Sequence, residues 1–159
     1  MGTIEDYSSG RIIDGLRAAL GILGSPYGSL PDNLQIARVQ EKIKAFDPMI
    51  LSVSEASEYI RKASNIALGE RVCRALNPAS VSTQSVFLDE LADAMILAGK
   101  ARPVSDEEAE ESLNKSSGHP LVISMVSGRY LEICASHQPD CVYWRAEKRG
   151  LRCLKRKAF

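Results

Sequence analysis

Apolar side chains recur every three or four positions along most of the first hundred residues. The first such segment covers residues 12–23 and ends before a Gly-Ser-Pro sequence. A second segment follows Pro31 and ends near Asp47, because the residue that precedes a proline is disfavoured in a helical conformation. This spacing places the apolar residues on one face of a helix, so each segment predicts a helix with one buried face.

Three more helices are predicted over residues 52–76, 82–98 and 105–114. The first and the third begin with a serine that is followed three residues later by a glutamate. This is a capping box, in which the two side chains satisfy backbone amides at the helix start. The second ends at Gly99, the residue type that is favoured just past a helix end.

The periodicity changes after Pro120. Residues 121–126 and 129–134 are rich in β-branched and apolar residues and flank a Ser-Gly pair, which predicts a β-hairpin. Residues 141–145 and 151–154 are predicted as a third and a fourth strand.

The predicted fold class is therefore α+β, with an N-terminal helical bundle of about five helices followed by a small C-terminal antiparallel β-meander. The corresponding domains are a helical body over residues 1–118 and a β-meander with a Cys/His cluster and a basic tail over residues 119–159. A chain of 159 residues buries about two-thirds of its unfolded surface, so this fold needs no covalent cross-links.

The net charge is zero, but it is unevenly distributed. Residues 88–114 contain eight acids against two bases, net −6, and residues 134–159 contain seven bases against two acids, net +5. One interpretation is a basic docking surface with an acidic surface elsewhere. The other is that the two regions pack together and partly cancel.

Three of the four cysteines lie in the last 26 residues, with a histidine between the first two. Zinc takes four tetrahedral ligands, commonly thiolates and imidazoles. Hairpin folding would bring four such ligands together, which predicts zinc as a cofactor bound by Cys134, His137, Cys141 and Cys153. The spacing lacks a CxxC pair, so three alternatives stay open: an iron–sulphur cluster with Cys73 as fourth ligand, an oxidised Cys134–Cys141 pair, and unliganded cysteines in a small β-core.

The basic tail is a candidate nucleic-acid-binding surface, because positive side chains neutralise phosphates and release counterions. Strand alternation from residue 141 to residue 145 predicts that Trp144 lies in the core and Arg145 on the surface. The alternative is a solvated tail that keeps the protein soluble. The candidate residues are Arg145, Lys148, Arg149, Arg152, Lys155, Arg156 and Lys157.

Other functional classes have weaker support. The predicted helix at residues 105–114 carries five acids, so phosphate would repel it as a recognition helix. The chain contains neither a P-loop nor a GxGxxG sequence, and neither histidine lies in a known nucleophile motif, so an enzyme is not favoured. No apolar stretch reaches the length of a membrane helix and no signal peptide is visible. We therefore expect no membrane partner and a cytoplasmic location, or a nuclear one if the source is eukaryotic.

The sequence thus favours a non-enzymatic nucleic-acid-binding or regulatory module with a metal-stabilised basic C-terminal end. The alternative is a protein–protein interaction adaptor built on the helical body, in which the cysteines are purely structural. The partner would be a nucleic acid in the first case and another protein in the second. Salt distinguishes them, because nucleic-acid affinity falls steeply as salt rises whereas apolar contacts are largely indifferent to it.

Overall fold

The computed structural model describes residues 3–23, 33–70, 84–115, 120–136, 141–148, 151 and 153–156, with the backbone alone for residues 33–36 and 156. Seven helices lie in these ranges: α1 (Ile4–Ser9), α2 (Arg11–Leu23), α3 (Asn33–Phe46), α4 (Val53–Lys62), α5 (Asp89–Leu97), α6 (Asp106–Asn114) and α7 (Val142–Lys148). Seven strands lie there too: β1 (Met49–Leu51), β2 (Ile66–Glu70), β3 (Gln84–Leu88), β4 (Ala101–Pro103), β5 (Leu121–Val126), β6 (Arg129–Ala135) and β7 (Lys155–Arg156).

The seven strands form a single sheet in the order β4-β2-β3-β6-β5-β1-β7. Six strands pair in antiparallel fashion, and the two-residue strand β7 adds to β1 in parallel. The hairpin of β5 and β6 turns at Ser127 and Gly128, both of which have positive φ angles. Strand β6 is the middle strand of the sheet, since β3 pairs with its other edge.

The fold is α+β, but the predicted arrangement of a helical bundle followed by a small C-terminal meander is wrong. The sheet is large and its strands alternate with helices along the chain. The helix predicted for residues 52–76 ends at Lys62 and is followed by β2, and the helix predicted for residues 82–98 is β3 followed by α5. Strands β2 and β3 have buried residues on both faces of the sheet, so they lack the alternation that identifies a half-exposed strand.

The C-terminal segment differs from prediction as well. Of residues 141–145, predicted as a strand, Cys141 precedes helix α7 and residues 142–145 form its start. Valine, tyrosine and tryptophan favour strands as residue types, but contacts with the rest of the fold override so weak a preference. The predicted hairpin over residues 121–134, the helix after Pro31 and the capped helix at residues 105–114 are confirmed.

Helices cover both faces of the sheet. Successive residues of a strand point to opposite faces, and paired residues on neighbouring strands share a face. Val86 and Ile133 therefore lie on one face, and Phe87 and Glu132 on the other. Helices α4 and α6 pack together on the first face, next to β1, β5 and β2. Helices α1 and α7 cover the second face, where α2 contacts both of them.

The hydrophobic core lies on both faces of the sheet, between the strands and the helices that cover them. Side chains from β2, β3, β5 and β6 are fully buried, as is the inner face of α5. A Cβ atom at Gly69 would lie 2.5 Å from the Lys100 carbonyl oxygen and 2.8 Å from the Phe87 ring, so only glycine allows β4 to pair so closely with β2. Among the described helices, none is long and apolar enough to cross a membrane.

Helix α5 provides a matched test of core burial. Leu91 is fully buried, whereas Leu97 in the same helix is 91% exposed. We expect Leu91→Ala to lower the free energy of unfolding by about 2–5 kcal/mol. Leu97→Ala should change it by less than about 0.5 kcal/mol. Urea denaturation followed by circular dichroism measures both, and equal effects would contradict this placement of α5.

Candidate functional site

Helix α7 has a buried side and a basic side. Val142, Tyr143 and Ala146 are buried, whereas Arg145 is half-buried and Lys148 is exposed. The two basic residues are three positions apart in the last turn, so they lie on neighbouring parts of one helix surface. Cations at this end of a helix also interact favourably with its dipole, which gives these residues a structural role whatever else they do.

Two aromatic side chains attach α7 to the sheet. The hydroxyl groups of Tyr143 and Ser124 on β5 form a hydrogen bond of 2.9 Å. The indole nitrogen of Trp144 donates to the Ser136 hydroxyl oxygen at 2.9 Å, and that hydroxyl donates to the Pro120 carbonyl oxygen at 2.7 Å. The ring of Phe46 in α3 packs edge-on against Tyr143. Helix α7 is therefore held at a defined position over the sheet.

The chain returns after α7 and runs along the sheet edge. The Glu147 carboxylate oxygen Oε1 accepts hydrogen bonds from the backbone amides of Cys153 at 3.1 Å and Leu154 at 2.8 Å. The amide of Lys155 donates to the Pro48 carbonyl oxygen at 2.9 Å, where β7 pairs with β1. The basic end of α7 and the start of the tail therefore lie at the same edge of the sheet.

Asp47, between α3 and β1, anchors the tail by its side chain. The Nζ atom of Lys155 lies 2.6 Å from both carboxylate oxygens of Asp47, and the Tyr130 hydroxyl donates to the same carboxylate at 2.6 Å. Asp47 has a φ angle of 42°, a left-handed conformation that aspartate and asparagine tolerate better than most residues. The Lys155 hydrogen bond, followed by that of Tyr130, lowers the pKa of Asp47 from its ordinary value.

The structure describes only part of the predicted nucleic-acid-binding set. Arg145 and Lys148 lie on α7, and Lys155 lies on β7 with its charge offset by Asp47. Four members have side chains outside the described residues: Arg149, Arg152, Arg156 and Lys157. The nucleic-acid role of the whole set stays a prediction.

The described cysteines all lie close to α7 in the fold. Cys134 is half-buried on β6, and Cys141 is buried directly before α7. Cys153 is half-buried, and its thiol lies 3.5 Å from the Tyr143 carbonyl oxygen, to which it donates. All three are thiols rather than members of a disulfide. His137 and Cys73 lie outside the described residues.

The zinc site therefore stays a prediction. Among the residues that the structure describes, no group of three or more His, Cys, Asp or Glu side chains is arranged to hold a metal ion. Burial raises the pKa of the Cys153 thiol to about 12, with a smaller contribution from Glu147. Since zinc binds the thiolate, a metal at this position would displace the thiol proton.

A buried polar patch, which the sequence pattern does not predict, lies beneath α1 and α7. Glu132 in the middle strand is buried and accepts a hydrogen bond of 3.0 Å from the Tyr7 hydroxyl. Ser124, opposite Glu132 on β5, and Ser85 on β3 are also buried on this face. The Ser85 hydroxyl has no hydrogen-bond partner among the described residues. The available sequence signal was a glutamate within the apolar run of residues 130–135.

Burial changes the acid–base behaviour of this patch. The pKa values of Tyr7 and Tyr143 are both raised well above 10.0, mainly because burial penalises the phenolate, and the nearby Glu132 carboxylate adds to the effect. Both phenols are therefore neutral at neutral pH and available as hydrogen-bond donors. A buried carboxyl group is costly unless hydrogen bonds compensate for lost hydration, so the bond from Tyr7 satisfies Glu132 and at the same time fixes α1.

The acidic residues 88–114 are divided between two helices. In α6, Glu108 pairs with Arg102, Glu110 with Arg61, and Glu111 with Lys115. Because α6 packs against α4 and β2, these three pairs lie on the face opposite to α7. Asp89 and Glu90 begin α5, which packs against α1, and both pair with Arg129.

Comparisons with family models, with curated proteins and with solved structures find no match to this chain.

The depressed pKa of Asp47 predicts how the attachment of the tail depends on pH. A group with a lower pKa in the folded state contributes stability above its unfolded pKa, near 3.8, and loses it as pH falls through the folded value. We expect Asp47→Asn to lower the free energy of unfolding by at most about 1 kcal/mol at pH 6, since the pair is partly exposed. The difference from wild type should disappear toward pH 2 in urea denaturation. Asparagine keeps the left-handed backbone conformation, so a pH-independent difference would contradict the ionic origin.

Elemental analysis tests the zinc hypothesis. If Cys134, His137, Cys141 and Cys153 bind zinc, the purified protein should contain one ion per chain, and chelation should lower the melting temperature, because a metal that binds the folded state stabilises it. Cys141→Ser should abolish that chelator effect. A metal-free preparation with the same melting temperature before and after chelation would refute the hypothesis.

Proposed function

We propose that this protein is a non-enzymatic nucleic-acid-binding module, with a regulatory rather than a catalytic role. Its binding site is the basic surface, defined as Arg145, Lys148, Arg149, Arg152, Lys155, Arg156 and Lys157. The observation that supports the proposal is the attachment of α7 and the returning tail to one edge of the sheet, with Lys148 exposed.

Basic side chains on an ordered helix, such as Arg145 and Lys148 of α7, are suited to a phosphate backbone. Each lysine or arginine that contacts a phosphate releases condensed counterions, and this release drives association at low salt. Side chains held on an ordered helix lose less conformational freedom on binding than those of a flexible tail. The bonds from Tyr143 and Trp144 to the sheet supply that order for Arg145 and Lys148.

The basic residues are not equivalent in this proposal. Lys148 is exposed, whereas Lys155 already forms an ion pair with Asp47. A phosphate that contacts Lys155 must compete with that carboxylate, so the net gain at Lys155 is smaller.

Titration of labelled single- and double-stranded DNA and RNA at several salt concentrations tests the proposal. We expect Lys148→Ala to weaken binding to all sequences alike and to reduce the salt slope by about one unit. Lys155→Ala should have a smaller effect. Lys62→Ala is the matched control, because Lys62 is an exposed lysine in the last turn of α4 on the opposite face, and it should leave binding unchanged.

Absence of binding below about 10 µM at low salt would refute the proposal, because non-specific nucleic-acid contacts reach micromolar strength. The protein–protein adaptor then becomes the better explanation. Its binding should be largely insensitive to salt and should depend on exposed apolar side chains such as Val53 and Leu97.

A further inference from the structure

We infer that Glu147 is a positioning residue that sets the course of the basic tail beside α7. This inference rests on the proposed function, because it assigns a binding role to an acidic residue within the basic surface. Glu147 lies between Arg145 and Lys148 in the last turn of α7, where an acid would otherwise weaken attraction for phosphate.

The geometry shows how Glu147 acts. A single oxygen atom, Oε1, accepts from two successive backbone amides, those of Cys153 and Leu154. Hydrogen bonds to a carboxylate are stronger than those between neutral groups, and two adjacent donors define the direction of the chain as well as its position. Glu147 is half-buried, so these bonds are partly shielded from water.

Neighbouring contacts continue the same path. The Leu151 amide donates to the Ala146 carbonyl oxygen at 3.0 Å, and the Lys155 amide donates to Pro48 at 2.9 Å. Glu147 therefore acts between the end of α7 and the pairing of β7 with β1. Its Oε1 atom accepts from backbone amides, in contrast to the carboxylate of Asp47, which pairs with the Lys155 side chain.

The direction in which substitutions at Glu147 change nucleic-acid affinity distinguishes a positioning role from a purely electrostatic one. If Glu147 acts only through its charge, both Glu147→Ala and Glu147→Gln should strengthen nucleic-acid binding, because each removes a negative charge. If it positions the tail, Glu147→Gln keeps an acceptor at Oε1 and should bind as tightly as wild type or tighter. Glu147→Ala removes the acceptor and should bind about tenfold more weakly at low salt, as expected for lost phosphate contacts.

Amide hydrogen exchange measures how firmly the tail is attached in the absence of nucleic acid. In Glu147→Ala the amides of Cys153 and Leu154 should exchange about tenfold faster than in wild type, because hydrogen bonds to a charged acceptor are lost. In Glu147→Gln they should stay close to wild type. Exchange in β5 and β6 should be unchanged in both variants, which separates release of the tail from global unfolding. Glu58→Ala, at an exposed acid of α4, is the control for charge removal.

Nucleic-acid binding and amide hydrogen exchange together distinguish failure of the positioning role from failure of the proposed function. Unchanged exchange at Cys153 and Leu154 in Glu147→Ala, or tighter binding by both Glu147 variants, would overturn the positioning role. If exchange accelerates as expected but the intact protein binds none of the labelled nucleic acids, the proposed function fails while Glu147 keeps its role in holding the tail.

Discussion

The pairing of β3 with β6 is the constraint on which the rest of the fold depends. It joins β4, β2 and β3 to the strands that follow residue 120, and it makes β6 the middle strand. Residues 132–134 of β6 therefore have paired strands on both sides, and Glu132 and Ile133 are buried on opposite faces of the sheet. This pairing joins residues distant in the chain, so it is stable only when the flanking layers compensate for the loop-closure entropy.

Because β6 is the middle strand, its polar residues influence how the helices pack on the sheet. A buried carboxyl group in the middle of an apolar sheet needs a hydrogen-bond partner, and the Tyr7 hydroxyl supplies one to Glu132 from α1. Ser124 plays a similar part for Tyr143 of α7. Buried polar contacts add little net stability, but misplacing either helix would leave a buried group unsatisfied. The polar patch therefore selects one arrangement of α1 and α7 over the second face.

The fixed position of α7 links the core to the surface. Its inner side contributes Tyr143 to the polar patch, and its outer side carries Lys148. Two carboxylates then direct the returning chain in different ways, Glu147 through backbone amides and Asp47 through the Lys155 side chain. The tail thus begins as a strand that belongs to the sheet.

Sequence alone determined the elements whose signals are local. The serine cap at Ser105 places the start of α6, and the Ser-Gly turn between two apolar runs places the hairpin of β5 and β6, because nearby residues supply the required bonds. It also grouped the C-terminal cysteines and bases, although their functions stay predictions. Only the tertiary structure decided that residues 66–70 and 84–88 are strands, that Val142 begins a helix, and that Asp47 meets Lys155. These outcomes depend on partners far away in the chain, and short apolar runs have no period that distinguishes a buried strand from a buried helix.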